Sequence, residues 1–365
     1  MTKNNYAIIM AGGIGSRFWP WSRTEQPKQF LDVLGTGKTL IQQTFDRISQ
    51  ICPKENILVI TNARYAQTIA AQIPDMPAEN ILSEPQGKNT APCVALGAFK
   101  IHKKNSEANI LVAPSDHIIL KEELFAQVVN RGFDYSGKND VLMTIGIEPH
   151  KPETGYGYIQ SSGNIVAEEK NRWVQTEVTA FREKPDLATA QNFLADGRYF
   201  WNAGIFIWSA KSILKAFLSH LPQMHNLFAE YTPDFDTIAE TKAIEQIFGR
   251  CDSISIDYGI MEKAKNVQVI STDIGWSDLG SWSALHEISN KDVHENTTNS
   301  EKTLFYDANN CIVRTLNNKV TVIEGLKDYV VVEEENALLI CRKQNEQRIK
   351  EFVKDVSKKF GDQYV

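Results

Sequence analysis

The chain has 365 residues, 42% of them hydrophobic, with 39 Lys and Arg against 45 Asp and Glu for a formal net charge of −6. This length supports one large core plus a small additional domain. The acidic balance excludes a general polyanion binder, so no nucleic acid partner is expected.

The five cysteines lie far apart without metal-ligand spacing, which predicts free thiols in a reducing compartment. No signal-peptide core and no apolar run near the roughly 18 residues of a membrane span are present, so we expect a cytoplasmic protein without membrane contact.

Short apolar runs alternate with helical patterns along the first half of the chain. Strands are predicted at 6–11, 56–61, 109–113 and 141–147, and helices at 40–51, 65–73, 90–103 and 121–133. Such alternation is typical of βαβ units. The sequence therefore predicts an α/β fold with a doubly wound, mostly parallel, Rossmann-like sheet.

The pattern changes from about Gly155 onward. YGYIQSSGNIVAEE at 156–169 and EVTAFREKPD at 177–186 are predicted to be antiparallel strands that form an inserted lid, and helices at 187–194 and 212–221 flank an aromatic strand at 199–208. After a polar linker at 291–300, short β-rich runs predict a small β-solenoid or hairpin stack. We expect a catalytic domain at 1–290, a β-rich domain at 300–345 and a C-terminal helix at 346–365. The β-rich region and the helix suggest a homodimer as a hypothesis.

The first predicted strand ends in a glycine-rich loop. Ala11, Gly12, Gly13 and Gly15 allow a tight turn whose exposed N–H groups bind an anion. Arg17 and Lys28 follow, as a triphosphate requires, although an ordinary turn with two solvated cations is the structural alternative.

The same region does not match the sequences of two better-known phosphate-binding motifs. Phe18 stands where a dinucleotide fingerprint needs its third glycine, which disfavours NAD. Asp32 stands where a P-loop needs its first glycine, so LGTGKT is interpreted as an ordinary helix start near Thr39.

Three further motifs carry polar residues suited to phosphate and sugar chemistry. Asp116 follows a buried strand, where open α/β sheets bind ligands, and its carboxylate suits Mg²⁺. Glu183 of FREKP can accept hydrogen bonds from sugar hydroxyls, and Lys184 can neutralise a sugar phosphate. Gly157 allows close approach of a sugar ring. The structural alternatives are an exposed loop carboxylate for Asp116, a surface ion pair for Glu183 and Lys184, and a plain turn for Gly157. His117 is expected to be structural, because a phosphate oxygen that acts as the nucleophile needs no base.

The stretch from Gly12 to Lys28 resembles the GGxGxRLxPxxxxxPK signature of the sugar nucleotidylyltransferases, with Phe18 in the usual leucine place. FWPWSR, the following PKQFL, and FWNAGIF resemble the mannose-1-phosphate guanylyltransferase branch of that family. SEPQGKNTAP at 83–92 and IGWSDLGSW at 274–282 also match, in the family's order over residues 7–290. Asp257 and Tyr258 of SIDYGIMEKA match a family segment too, and the resemblance gives them a supporting role. The β-rich region after 290 matches more loosely.

The resemblance implies transfer of GMP from GTP to mannose 1-phosphate, giving GDP-mannose and pyrophosphate, with Mg²⁺ as cofactor. The residues that it implies are Arg17, Lys28 and Lys184 for catalysis, Ala11, Gly12, Gly13, Gly15, Ser16, Glu84, Pro85, Asn89 and Thr90 for the nucleotide, Gly157, Glu183, Lys184 and Asn202 for the sugar phosphate, and Asp116 and Asp278 for the metal.

Three alternatives stay open at this point. One is the same fold acting on another pair of substrates, such as dTTP and glucose 1-phosphate. The second is a non-catalytic subunit that keeps the fold and binds sugar nucleotides, and the third is a P-loop kinase, which Asp32 disfavours.

Overall fold

The structure is a computed structural model that describes residues 2–365. The strands are β1 (Asn5–Ala11), β2 (Ile57–Asn62), β3 (Ile81–Glu84), β4 (Asn109–Pro114), β5 (Ile118–Ile119), β6 (Leu142–Ile147), β7 (Tyr158–Glu169), β8 (Trp173–Arg182), β9 (Tyr199–Ser209), β10 (Val267–Thr272), β11 (Trp276–Ser277), β12 (Thr297–Thr298), β13 (Thr303–Tyr306), β14 (Ile312–Arg314), β15 (Thr321–Glu324), β16 (Tyr329–Glu334) and β17 (Ala337–Arg342). The helices are α1 (Leu40–Ser49), α2 (Ala66–Gln72), α3 (Thr90–Lys104), α4 (Glu122–Ser136), α5 (Leu187–Asp196), α6 (Ala210–His220), α7 (Pro222–Tyr231), α8 (Glu240–Arg250), α9 (Trp282–Ile288) and α10 (Ile349–Phe360).

The chain divides into two compact units. The first, here called the sheet unit, contains the residues up to Gly12 together with Thr44–Ser115 and Ile119–Trp276. Its main sheet has the strand order β3-β2-β1-β4-β9-β6-β10-β8-β7. Pairing is parallel from β3 through β2 and β1 to β4, and helices cover this half, so the strand interiors are apolar and buried.

The other half of this sheet is mixed. Strand β9 runs antiparallel to both β4 and β6, whereas β10 is parallel to β6. The antiparallel strands expected at 156–169 and 177–186 correspond to β7 and β8, although β8 begins and ends earlier than expected. Since β8 pairs with β10, these strands extend the main sheet. The predicted α/β fold with a Rossmann-like sheet is confirmed, with a mixed strand order in its second half.

The second unit, here called the loop unit, contains Gly13–Gln43, Asp116–Ile118 and Ser277–Val365. Its β-rich part stacks β12, β14 and β16 in parallel and pairs β13 with β15 in parallel, while β17 closes an antiparallel hairpin with β16. Parallel rungs of this kind confirm the predicted small β-solenoid.

The amphipathic helix α10 packs inside the loop unit against the segment that follows the glycine-rich loop. Ile349 is fully buried in one apolar cluster with Phe18 and Trp282. Trp19 Nε1 donates to the carbonyl of Tyr364 at 2.7 Å. This helix therefore packs on the segment that carries Arg17. Among residues 2–365, no helix combines the length and apolar character needed to cross a bilayer.

Candidate active site

At one position of the glycine-rich loop, the backbone adopts a conformation that favours glycine. Gly15 has φ 73°, in the left-handed region, and a Cβ added there would lie 2.6 Å from Lys28 Cβ. Ser16–Phe18 then form a single 3₁₀ turn, and the Lys28 N–H donates to the carbonyl of Ile14 at 3.1 Å. This turn brings the two predicted phosphate-binding cations, Arg17 and Lys28, onto one short loop.

Lys28 is a buried cation, 3% exposed, held by three oxygens. Its Nζ lies 2.9 Å from Asp116 Oδ2 and donates to the carbonyls of Asp278 and Leu279 at 2.8 and 3.0 Å. A buried ammonium requires such oxygen partners, because an uncompensated charge is costly away from water. Lys28 thereby links the two predicted metal ligands.

These residues line a cavity of about 230 Å³ within the loop unit. Its wall is formed by Gly15, Ser16, Arg17, Phe18, Lys28, Asp116, His117, Asp278, Leu279, Gly280 and Lys350. The structure thus brings together six of the predicted residues, namely Gly15, Ser16, Arg17, Lys28, Asp116 and Asp278. Lys350 was not predicted, because its only sequence signal is a position on an amphipathic helix far along the chain.

The carboxylates of Asp116 and Asp278 both have hydrogen-bonded or ion-paired surroundings. Burial would raise the pKa of Asp116, but Lys28 and His117 outweigh it and hold that pKa below its usual value. Asp278 Oδ1 accepts the Gly280 N–H at 2.8 Å. A Cβ on Gly280 would lie 2.5 Å from Asp278 Oδ2, so this turn also depends on glycine. His117, expected to be structural, lines the cavity with Nε2 3.9 Å from Asp116 Oδ1.

The donor set of this cavity fits a hard divalent cation. Within residues 2–365, no cluster of three or more His, Cys, Asp or Glu side chains is arranged to hold a metal ion. Mg²⁺ in nucleotide enzymes is commonly bound by one or two carboxylates, with substrate phosphates and water completing its shell. The carboxylates of Asp116 and Asp278, lining one cavity with two phosphate-type cations, match that arrangement.

The predicted sugar-phosphate residues form a second cluster, within the sheet unit. Lys184 Nζ lies 2.6 Å from Glu183 Oε1, and a Cβ on Gly157 would lie 2.5 Å from Glu183 Oε2. Lys184 has φ 47°, an uncommon conformation for a residue with a side chain. Burial would lower the pKa of Lys184, but the Glu183 carboxylate beside it raises that pKa above its ordinary value, as Asp257 also does.

Asn202 is an anchored member of the same cluster. Its Nδ2 donates to Asp257 Oδ1 at 2.9 Å, while its Oδ1 accepts from Thr144 Oγ1 and from the Gly204 N–H. Asp257 begins a short π-helix, Asp257–Met261, a feature that is frequent at functional sites. Burial, and then the nearby Glu183, raises the pKa of Asp257 to about 7. Sequence reasoning gave Asp257 a supporting role, and the structure places it directly beside the sugar-phosphate residues.

Glu84 is a buried carboxylate beside the start of the glycine-rich loop. It ends β3, is 5% exposed, and its Oε1 has no hydrogen-bond partner among residues 2–365. Burial raises its pKa to about 7, although a hydrogen bond with Cys93 opposes the shift. A Cβ on Gly12 would lie 3.6 Å from Glu84 Oε2. An unpaired acceptor of this kind is costly unless a ligand supplies a donor.

The remaining predicted nucleotide residues have clear local roles. Asn89 caps α3 by accepting the Thr90 N–H at 2.9 Å, and Thr90 Oγ1 accepts the Ile256 N–H at 2.9 Å. The Ala11 carbonyl accepts Thr61 Oγ1, the Gly13 carbonyl accepts Gln29 Nε2, and Pro85 is exposed. In this structure their polar groups serve the framework around the loop.

A Rossmann-like sheet whose first loop carries Arg17 and Lys28 beside two carboxylates defines the class of nucleotide-dependent transferases. The sequence profile described as nucleotidyl transferase matches residues 6–295, and one described as a mannose-phosphate isomerase/GMP-like β-helix domain matches residues 302–356. The chain belongs to the nucleotidyl transferase family, in its mannose-1-phosphate guanylyltransferase group. Members of this family generally use a divalent metal ion.

Curated relatives and a solved structure support this placement. A mannose-1-phosphate guanylyltransferase of Salmonella montevideo is 39% identical over 96% of this chain and 73% of its own length. One from Escherichia coli K12 is 37% identical with the same coverage. A crystal structure from Thermus thermophilus, of a protein called mannose-1-phosphate geranyltransferase, is 30% identical and superposes with a TM-score of 0.84 over 97% of this chain and 99% of its own.

Proposed function

We propose that this protein is a mannose-1-phosphate guanylyltransferase, which transfers GMP from GTP to mannose 1-phosphate and releases pyrophosphate and GDP-mannose. One observation carries the proposal beyond family membership. Arg17, Lys28, Asp116 and Asp278 line a single cavity beside the glycine-rich loop, which is the charge pattern that a metal-bound triphosphate requires.

In the proposed reaction, an oxygen of the sugar phosphate attacks the α-phosphorus of GTP. A new P–O bond forms on that phosphorus while its bond to the β-phosphate bridging oxygen breaks, and pyrophosphate leaves with that electron pair. Because a phosphate oxygen is already a nucleophile, no side chain is needed as a base. Catalysis therefore depends on positioning and charge neutralisation.

Each cation has a proposed task. Arg17 and Lys28 neutralise the β- and γ-phosphates and the charge that develops on departing pyrophosphate. Lys28 is already fixed by Asp116 and by two carbonyls, so it is preorganised and loses little entropy on binding. Lys184 neutralises the sugar phosphate, and Glu183 accepts hydrogen bonds from sugar hydroxyls.

We assign Mg²⁺ to the carboxylates of Asp116 and Asp278. Bound there with the substrate phosphates, this ion would supply Lewis-acid stabilisation of charge at the α-phosphate. The hydrogen bond from the Gly280 N–H fixes the Asp278 carboxylate, and Lys28 fixes that of Asp116. Both ligands are thus oriented by the protein itself.

We assign recognition of guanine to Glu84. Guanine presents two neighbouring donors, N1–H and the 2-amino group, which match one carboxylate, whereas adenine presents an acceptor at N1. The buried acceptor of Glu84 beside Gly12 supports this role.

The decisive experiment is a matrix of GTP, ATP, CTP, UTP and dTTP against mannose 1-phosphate, glucose 1-phosphate and galactose 1-phosphate, read by enzymatic detection of pyrophosphate. The proposal expects GTP with mannose 1-phosphate to give the highest kcat/KM. Highest turnover of dTTP with glucose 1-phosphate would instead support the other substrate pair, and release in no combination would support a non-catalytic subunit.

The proposal also covers compartment and assembly. All five cysteines are unbridged, which supports function in the reducing cytoplasm. A homodimer is proposed from the apolar surface of the β-solenoid, and its test is given below.

A further inference from the structure

The cavity that carries the proposed triphosphate site contains a cation from a distant part of the chain. Lys350 is the second residue of α10 and lines the cavity together with Arg17 and Lys28. We propose that Lys350 is a phosphate-binding residue of the nucleotidyl transfer reaction and that it contacts the β,γ-diphosphate of the nucleotide and the pyrophosphate that leaves. This inference rests on the proposed function.

The position of Lys350 is fixed by its neighbour in sequence. Ile349 is fully buried in the cluster that also contains Phe18, the residue directly after Arg17. The chain therefore fixes Lys350 beside the phosphate loop even though its own side chain is exposed. Trp19 Nε1, which donates to the Tyr364 carbonyl at 2.7 Å, holds the short 3₁₀ turn that follows α10, Asp362–Tyr364, against this loop.

The charges lining the cavity explain why a further cation is needed. Among the described residues, the cavity wall contains the cations Arg17, Lys28 and Lys350 and the carboxylates Asp116 and Asp278, and also His117. Lys28 already compensates Asp116 at 2.9 Å, and Arg17 Nη1 donates to the Gly280 carbonyl only at 3.4 Å. A triphosphate adds several negative charges, so Lys350 supplies neutralisation that Lys28 cannot give in full.

The chemistry of a lysine on an exposed helix suits the leaving group. An ammonium on a flexible stem is a strongly hydrated point charge that can follow pyrophosphate as it departs. The α-phosphate and the sugar are bound by other residues in the proposed mechanism. Lys350 is therefore expected to affect the interactions of GTP and pyrophosphate and to leave those of mannose 1-phosphate nearly unchanged.

The test compares Lys350→Met, Lys350→Arg and the matched control Lys354→Met. Lys354 is an exposed lysine one helical turn further along α10 and does not line the cavity. We expect Lys350→Met to raise KM for GTP, and KM for pyrophosphate in the reverse reaction, by about tenfold, which is typical for loss of one charge-assisted hydrogen bond. KM for mannose 1-phosphate should change less than about twofold. Lys350→Arg should recover most of the loss, and Lys354→Met should behave like the wild type.

Equal values for Lys350→Met and Lys354→Met, with both folded by circular dichroism, would overturn the assignment. So would an equal loss of affinity for mannose 1-phosphate, because that indicates a general structural effect. Calorimetric titration of each protein with magnesium pyrophosphate separates this inference from the proposed function. If the wild type is inactive with every substrate pair, the proposed function fails, but about tenfold weaker pyrophosphate binding by Lys350→Met still supports the phosphate contact, and unchanged binding rejects it.

Discussion

At the residue scale, Asp116 and Asp278 carry the proposed metal site, and their isosteric amides test it. Asp116→Asn and Asp278→Asn keep the side-chain shape but remove the charged oxygen, so each should lower turnover by about 10²-fold or more. Activity should be measured across a magnesium titration, with EDTA abolishing that of the wild type. Asp355→Asn, an exposed residue on α10 outside the cavity, is the control. Near-wild-type turnover of either variant at limiting magnesium, with native circular dichroism, means that its residue is not a ligand.

Glu84 provides a test of base recognition that does not depend on the metal. ITP differs from GTP only in lacking the 2-amino group, so it removes one of the two donors assigned to Glu84. We expect the wild type to prefer GTP to ITP by at least about tenfold in kcat/KM. Glu84→Gln should reduce this preference to about threefold or less, because an amide places a donor against the donors of guanine. A preference that survives the substitution would place guanine recognition elsewhere.

Above neutral pH, Glu84→Gln should stabilise the ligand-free protein, because it removes a buried acid that ionises there. Burial raises its folded pKa from 4.5 to about 7, so the native state binds more protons than the unfolded state between these pH values. The free energy of unfolding contributed by Glu84 therefore falls as pH rises from about 4.5 to 7, by roughly 3 kcal/mol in total. Urea unfolding at pH 5 and pH 8 should show Glu84→Gln gaining stability over the wild type only at pH 8. An equal difference at both pH values contradicts the assignment of the shift to Glu84.

At the element scale, the segment before β7 approaches Glu183 so closely that it has no room for a side chain. Gly157→Ala adds a Cβ that would lie 2.5 Å from Glu183 Oε2, so the carboxylate must move. We expect KM for mannose 1-phosphate to rise about tenfold or more, with KM for GTP little changed. Gly155→Ala is the matched control, since its Cβ would meet only the Glu153 side chain at 3.3 Å. Equal effects of both substitutions on both substrates would point to loop distortion alone.

Elements with strong local patterns were predictable from the sequence, and their site residues with them. The apolar run of β1 followed by glycines predicted the loop that we propose binds phosphate, and GxR with PK predicted the two cations, Arg17 and Lys28, that the structure places in one cavity. Asp257 was undervalued because a π-helix has no simple sequence pattern, and the burial that raises its pKa depends on residues distant in sequence. The pairing of β8 with β10 could not be predicted from the sequence either, because antiparallel strands carry no local signal of which sheet they join.

At the scale of the whole molecule, the β-solenoid exposes apolar residues that suggest self-association. Leu304 and Val322 face each other in register on β13 and β15 and are 51% and 58% exposed. Exposed apolar patches commonly mark protein interfaces. We expect light scattering to give the mass of a dimer, and Leu304→Asp with Val322→Asp to give a monomer. Val293→Asp, at an exposed position outside β13 and β15, should remain dimeric, and a monomeric wild type at micromolar concentration would reject the hypothesis.

The compact units of the structure are built from segments that are not continuous in the sequence. The sequence predicts a division near residues 291–300, where polar residues interrupt the apolar pattern. The loop unit combines three separate segments, which are Gly13–Gln43, Asp116–Ile118 and Ser277–Val365. Such an association is driven by tertiary burial around Phe18, Trp282 and Ile349, which no local pattern encodes.

Because the loop unit combines segments from both ends of the described chain, it can form only late in synthesis. Trp19 donates its hydrogen bond to Tyr364, a residue 345 positions later in the chain. At a synthesis rate of roughly 5–20 residues per second, the ribosome needs on the order of tens of seconds between these two residues. The strands β2 to β10 of the sheet unit are made during that interval, while the segment carrying Arg17 and Lys28 still lacks α10. The proposed phosphate-binding loop should therefore become complete only after residue 364 has been made, and chains that have not reached that residue are expected to be inactive.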